Sequence, residues 1–414
     1  MVETEAVQPE AVQPIEKLGD DFHADPHRYY DRWRESGPVH HVQLTDGVPC
    51  WVVIGYAEGR AALADPRLSK NYNAVYELFR RKIPGGIGNE NAQVLAAHML
   101  NTDPPDHTRL RKLVSKEFTT RRVAAMRSRI EEITAALLDD VAAHEETDLL
   151  QRFAIPLPVT VICELLGVPF EDRASFQAWT KMVLGGTTGT VEDRSAASLA
   201  MSNYLQELVE AKRVRPGEDL LSGLVQTSED GDRLSRAELV SMAFLLLVAG
   251  HETTVNLIGN GVYHLLRHPD QFRALRDDPD GIPGAVEEFL RYDGPVGWAT
   301  VRYTAEPVRI GEVDIPADEI VYISLGAANR DRARFQDADR LDVTANANGH
   351  LAFGHGIHFC VGAPLARLEA DVAFRSLLAR FPNLDLADRA FTPEYQVGML
   401  IRGLTELPVR PNGL

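Results

Sequence analysis

The chain has 414 residues, 44% of them hydrophobic and 25% charged, with a formal net charge of −17. That length and apolar share suffice for a large buried core, and the acidity excludes general nucleic-acid binding, which needs a basic face. Cys50, Cys163 and Cys360 lie far apart with no CxxC among them, which argues against a disulfide framework or a structural zinc site and fits a reducing cytoplasm.

Residues 1–18 are expected to form a disordered tail. They hold the tandem repeat EAVQP-EAVQP at 5–14 and have few apolar groups to bury. MVETEAVQPE has no apolar core, so neither a signal peptide nor an anchor is expected. Order should begin near Asp25-Pro26, with a short helix in HRYYDRWRES. Val39–Val42 and Trp51–Ile54, on either side of the turn-like Asp46-Gly47, predict a hairpin. Residues 70–100 carry Pro84-Gly85-Gly86 and Gly88-Asn89 between Phe79, Ile83 and Leu95, and read as a long irregular loop, a kind that is often functional. From Pro105 to about Val214 the pattern is helical, notably Arg122–Val141 and Ala196–Val214, with a break at the Gly-Thr-rich segment 185–190.

Ser235 and Glu238 then form a capping-box pattern. Helical character continues to about Arg267, ahead of Pro269, about 33 residues or roughly 50 Å. The middle of this helix, MAFLLLVAG, is apolar on all sides, which places it through the centre of a domain. Its apolar run Met242–Ala249 is too short to span a bilayer. Further β-rich runs are Thr300–Tyr303, Val308–Ile310 and Ile320–Ile323, and a last helix runs from about Gly362 to Arg380, before Pro382. The fold class is mainly α with small β-sheets, and residues 19–414 form a single domain.

Four constellations carry chemistry. The first is Phe353-Gly-His-Gly-Ile-His-Phe-Cys-Val-Gly362, in which Gly356 and Gly362 permit tight turns around Cys360. A helix starting just after the cysteine would stabilise a thiolate through its N–H groups and dipole. The second is Ala249-Gly250-His251-Glu252-Thr253-Thr254, which puts a glycine, an acid and two threonines inside an apolar helix. Such residues are costly there, unless Ala249 and Gly250 make room for a ligand. A zinc-peptidase reading fails because Val255 stands where HExxH needs its second His. The third, Glu288 and Arg291, is by itself an ordinary i,i+3 pair. The fourth is the basic stretch His107-Thr-Arg-Leu-Arg111 after Asp103-Pro-Pro.

The cysteine segment resembles the FxxGxHxCxG heme loop of the cytochrome P450 family at every fixed position: Phe353, Gly356, His358, Cys360 and Gly362. The resemblance implies a triangular helical prism with heme b between the long central helix and the cysteine loop. Cys360 would be the iron ligand, and such a cysteinate favours O–O cleavage. His107, Arg111, Arg302 and His358 would bind the heme propionates. Glu252 and Thr253 match the family's oxygen-activation motif, Thr253 as hydrogen-bond partner of dioxygen and Glu252 as proton relay. Glu288 and Arg291 match ExxR, with Arg340 completing a structural triad.

The same resemblance assigns apolar substrate contacts to Leu245, Val248, Ala249, Val296, Trp298, Leu400 and Ile401. It implies insertion of one oxygen atom from O2 into an apolar molecule, with electrons from NAD(P)H through ferredoxin reductase and ferredoxin. Arg109 and Lys112 are expected to face outward as a basic patch for that acidic donor. LLGVP at 165–169 and HPDQ at 268–271 are similar to actinobacterial enzymes that tailor macrolides and other secondary metabolites, including antibiotics. A cytoplasmic monomer with no membrane or nucleic-acid partner is expected. Oxidative cyclisation or C–C/C–N coupling on the same fold is the alternative, and a non-catalytic heme-thiolate binder the remoter one.

Overall fold

The N-terminal hairpin folds as its alternation predicts. β2 (Val39–Gln43) and β3 (Pro49–Val53) pair antiparallel with His41 opposite Trp51, and the connection passes through Gly47 at φ +89°, where glycine is favoured. This computed structural model describes residues 15–82, 95–184, 190–229 and 232–413. In it the hairpin lies within a six-stranded sheet. β1 (Glu16–Lys17) joins β2 in parallel. On the far side of β3 come β6 (Ile320–Ile323), again parallel, then β5 (Arg302–Thr304) and β4 (Leu68–Ser69). The order is β1-β2-β3-β6-β5-β4, so both ends of the chain build one sheet.

Two expectations are corrected here. Residues 15–18 are not tail: β1 is paired, Leu18 is buried, and Glu16 accepts a hydrogen bond from Trp33 Nε1 at 2.8 Å. A two-residue strand has no periodicity for the sequence to display. The EAVQP repeat lies outside the described residues. Residues 70–100 are not all loop, because Tyr72–Lys82 is a helix. Val75 and Leu78, three apart, are its buried stripe, and Arg80, Arg81 and Lys82 suit the negative end of its dipole. The Pro-Gly-Gly and Gly-Asn segments, and 185–189, lie outside the described residues.

The helical stretch begins with Asp106–Glu117. Arg122–Val141 is divided into Thr120–Ala125 and Arg127–Ala142. Val191–Val214 starts earlier than expected because Thr190 and Asp193 form a capping box.

The central helix is Arg236–Arg267. Its capping box is made: Glu238 N–H donates to Ser235 Oγ at 3.3 Å and Ser235 N–H to Glu238 Oε2 at 2.7 Å. It packs against helices Pro156–Leu166, Val191–Val214, Ile282–Asp293 and Ala363–Arg380. Length and composition alone would let it cross a membrane, but 72% of its most apolar window is buried inside the protein, as befits a core helix. Gly250 serves that packing: a Cβ there would fall 2.8 Å from Ile162 Cδ1. Its smallness therefore admits a neighbouring helix, a packing role that the sequence alone does not display.

Candidate functional site

The cysteine loop precedes the last helix, Ala363–Arg380. Backbone bonds close it: Cys360 N–H to Phe353 O at 2.9 Å, Gly354 N–H to Leu351 O at 2.7 Å, and Phe359 N–H to Gly356 O at 3.1 Å. The positive-φ positions are Gly354 (+71°) and Gly356 (+75°), and a Cβ on Gly356 would meet Ala64 Cα at 3.1 Å. Gly362 needs no such freedom, since its φ is −81°.

The backbone N–H groups of Gly362 and Ala363 hydrogen-bond the Cys360 sulfur. Burial pushes that thiol up, while these N–H groups, Arg111 and Arg367 pull it down. Arg367 is held by Glu287 through two bonds of 2.6 and 2.8 Å and lies over the Phe353 ring. His350 adds a third contact to Glu287 at 3.0 Å. Burial opposes the Glu287 charge, but Arg367 and His350 outweigh it and lower the carboxyl to about 2. Cys50 and Cys163 are buried free thiols that burial pushes up.

Beneath the loop, Glu288 and Arg291 are both buried. Arg291 has five N–H donors, and all are used. Nε and Nη2 bind Glu288 at 2.7 and 2.8 Å, Nη1 binds the carbonyls of Asn329 (3.1 Å) and Ala338 (2.7 Å), and Nη2 also binds that of Arg340 (3.0 Å). Glu288 further accepts the Asp342 N–H at 2.9 Å. The expected triad is thus corrected: Arg340 contributes its carbonyl, while its side chain is exposed. A carbonyl contribution leaves no mark on residue type, which is why sequence reading credited the guanidinium.

Beside the loop, five basic side chains converge. Lys70, His107, Arg302 and Arg111 all bear electrostatically on His358, whose imidazole is lowered to about 2, first by burial and then by these neighbours. The His107 and His358 rings are 4.3 Å apart, centre to centre. Both ring nitrogens of His107 are buried without a hydrogen-bond partner, a condition that costs free energy unless a ligand completes it. Arg302 is buried, and burial lowers it to about 10.

Asp103 accepts from the Ser69 hydroxyl and the Lys70 N–H, and among the described residues no ion pair joins it to these cations. A buried cationic cradle with orphaned imidazole nitrogens fits a dianion, and heme brings two carboxylates. Lys70 was missed by sequence reading. A lone lysine after a two-residue strand carries no signal, and only its burial marks it.

The face of the central helix toward this region completes the fit. Ala249 is exposed although Leu245 and Val248 beside it are buried, so the middle of a core helix borders open space. Thr253 Oγ donates to Ala249 O at 2.8 Å, leaving its lone pairs available. The Glu252 side chain is 22% exposed, with His251 Nε2 at 3.5 Å from its Oε1.

Of the expected substrate contacts, Leu245, Val248 and Ala249 share this helix, and Val296 bridges to Ile401 next to exposed Leu400. Trp298 does not belong with them. It is 1% exposed, donates to Tyr30 Oη at 2.7 Å and packs on Phe22 and Tyr322. Strict alternation would put it on the same side as Val296, so it is these contacts with Tyr30, Phe22 and Tyr322, not the spacing, that place it in the core. Trp298→Ala is accordingly expected to cost about 3–5 kcal/mol of stability, read by denaturant unfolding, while ligand-induced heme spectra of the folded fraction stay unchanged. A selective loss of ligand response would return Trp298 to the pocket.

Arg109 is also corrected. It is paired with Glu238 and with Asp232 at 3.4 Å, which removes it from the expected docking patch; Lys112 is exposed.

Residues 191–401 match the family model described as Cytochrome P450. The chain is 51% identical to Cytochrome P450 107B1 of Saccharopolyspora erythraea, over 95% of its own length and 96% of that protein. It is 47% identical to 6-deoxyerythronolide B hydroxylase of the same organism, over 95% and 98% of the two chains. The solved structure of the tirandamycin C-bound P450 monooxygenase TamI superposes with a TM-score of 0.89 at 48% identity, over 96% of this chain and all of that one.

Proposed function

The chain belongs to the cytochrome P450 family, and from that premise we propose that it hydroxylates or epoxidises an apolar, natural-product-like molecule. It is a monooxygenase of heme b. One oxygen atom of O2 enters the substrate, and two electrons come from NAD(P)H through a ferredoxin reductase and a ferredoxin. The setting is a cytoplasm, and the working unit a monomer. The observation that carries this reading is the open face in the middle of the central helix, where Ala249 is exposed and Thr253 and Glu252 follow. Relatives named as a hydroxylase of 6-deoxyerythronolide B and as a monooxygenase holding tirandamycin C support a secondary metabolite as substrate.

Bound heme supplies the oxidising chemistry, in which R–H, O2, two electrons and two protons give R–OH and water. The residues of this chain supply the rest. Cys360 would hold the heme iron through its sulfur, and the N–H groups of Gly362 and Ala363 would moderate the charge there. His107, Arg111, Arg302 and His358 would bind the heme propionates. Ala249 ends at Cβ and so leaves room for substrate and oxygen. Thr253 Oγ, tethered to Ala249 O, presents a hydrogen-bonding hydroxyl. The partly exposed Glu252 carboxyl hands protons from solvent toward it. Leu245, Val248, Val296, Leu400 and Ile401 bind apolar surface by shape and desolvation.

The test is a natural-product library screened for heme spin-state shifts, then turnover with ferredoxin, reductase and NADPH, with product masses recorded. A product heavier by one oxygen atom is expected. Loss of hydrogen would favour ring closure or coupling instead, and absence of NADPH consumption with every spin-shifting ligand would overturn the oxygenase reading. Thr253→Ala is expected to lower product formed per NADPH by about tenfold to a hundredfold, the missing electrons appearing as peroxide. Unchanged coupling would remove Thr253 from proton delivery.

A further inference from the structure

We infer that Lys70 is a heme-anchoring residue, its ammonium binding a heme carboxylate jointly with Arg302. This rests on heme occupancy of the cradle but not on the identity of the substrate. Lys70 follows β4 and is 3% exposed. A lysine is almost never fully buried unless paired. The acid nearest in role, Asp103, is spent on main chain and hydroxyl: it accepts from the Lys70 N–H at 3.0 and 3.2 Å and from Ser69 Oγ. That arrangement fixes the Lys70 backbone and leaves its ammonium without a carboxylate among the described residues.

The ammonium instead reaches Thr300 Oγ, while Arg302 Nη1 donates to Thr300 O at 3.0 Å. One threonine thus holds two cations through its two oxygens and keeps both heads at one place. An ammonium has three donors, so Thr300 takes only part of its capacity. The charge of Lys70 also bears on His98, His107 and His358. So many cationic or cation-forming groups, buried together, repel one another unless an anion joins them, and the anions this family's cofactor brings are carboxylates. Burial, with Arg302 adding and Asp103 opposing, pushes the Lys70 ammonium well below its usual range; a carboxylate partner acts in the opposite sense.

The experiment uses holoenzyme and measures heme transfer to excess apomyoglobin. Lys70→Met, similar in length but neutral, is expected to lose heme roughly tenfold to a hundredfold faster. Lys70→Gln, also neutral but still able to hydrogen-bond Thr300, is expected to match it, which covers a failure of the first variant to fold. Lys70→Arg keeps the charge and should stay within a few-fold of the parent. The ferric–ferrous potential of the neutral variants should be more negative, because a cation beside the heme has gone.

Reconstitution with heme dimethyl ester, which lacks the anions, should erase the difference between parent and Lys70→Met. Equal loss of ordinary heme from parent and neutral variants would overturn the inference. So would an acceleration that persists with the ester, since that would mark a purely structural lysine. A parent protein that binds no heme at all would overturn the heme reading itself, a distinct outcome.

Discussion

Cys360→Ala is expected to abolish the reduced, CO-bound absorption band of thiolate ligation and to lower turnover by at least about a thousandfold, or about 4 kcal/mol of barrier. The loop should survive the change. Its closure rests on the Cys360 N–H bond to Phe353 O and on the turns at Gly354 and Gly356, none of which uses the side chain. What disappears is the sulfur that receives the Gly362 and Ala363 N–H groups, and alanine offers no atom to replace it. Near-parental secondary structure by circular dichroism should therefore accompany the loss of the band. An unchanged band in the variant would remove Cys360 from the iron.

Glu288→Ala is expected to destabilise the fold by about 3–5 kcal/mol, the penalty for stranding one member of a buried pair. Against a typical total of about 5–15 kcal/mol, most of that protein should emerge insoluble or without heme. The double replacement of Glu288 by Leu and Arg291 by Met should give little relief, unlike an isolated buried pair. It would strand the carbonyls of Asn329, Ala338 and Arg340 and the Asp342 N–H as well. Arg340→Ala should change stability by only about 0.5 kcal/mol or less, because its carbonyl does the bonding and its side chain is exposed. Urea unfolding midpoints and heme content per chain check all three. A stable, heme-loaded Glu288→Ala protein would show that the pair is not structural.

The sequence was most readable where one residue type does one job in a local frame. Ser235 and Glu238 mark the start of the central helix because the capping box closes within one turn, and Cys360 stands out because its loop is contiguous. It was least readable where the work falls to main chain or to remote partners. The role of Arg340 is a carbonyl. Trp298 shares an extended segment with Val296 but faces Tyr30, a residue of the N-terminal helix Pro26–Arg34. Lys70 is buried by Asp103 and Thr300, which come from two distant stretches of chain. Arg109 looks like a solvent-facing charge until Asp232 and Glu238 are brought beside it. In each case the missing information is a long-range contact.

The parallel pairing of β3 with β6 sets a timetable for biogenesis. During translation Trp51 and Val53 can pair with His41 and Val39 of β2, but their other edge has no partner until Val321 and Ile323 leave the ribosome, and at roughly 5–20 residues per second that wait lasts tens of seconds. The early hairpin must stay soluble meanwhile with one edge unpaired, a known aggregation hazard. Cys360 emerges later still, so cofactor capture belongs to the end of synthesis.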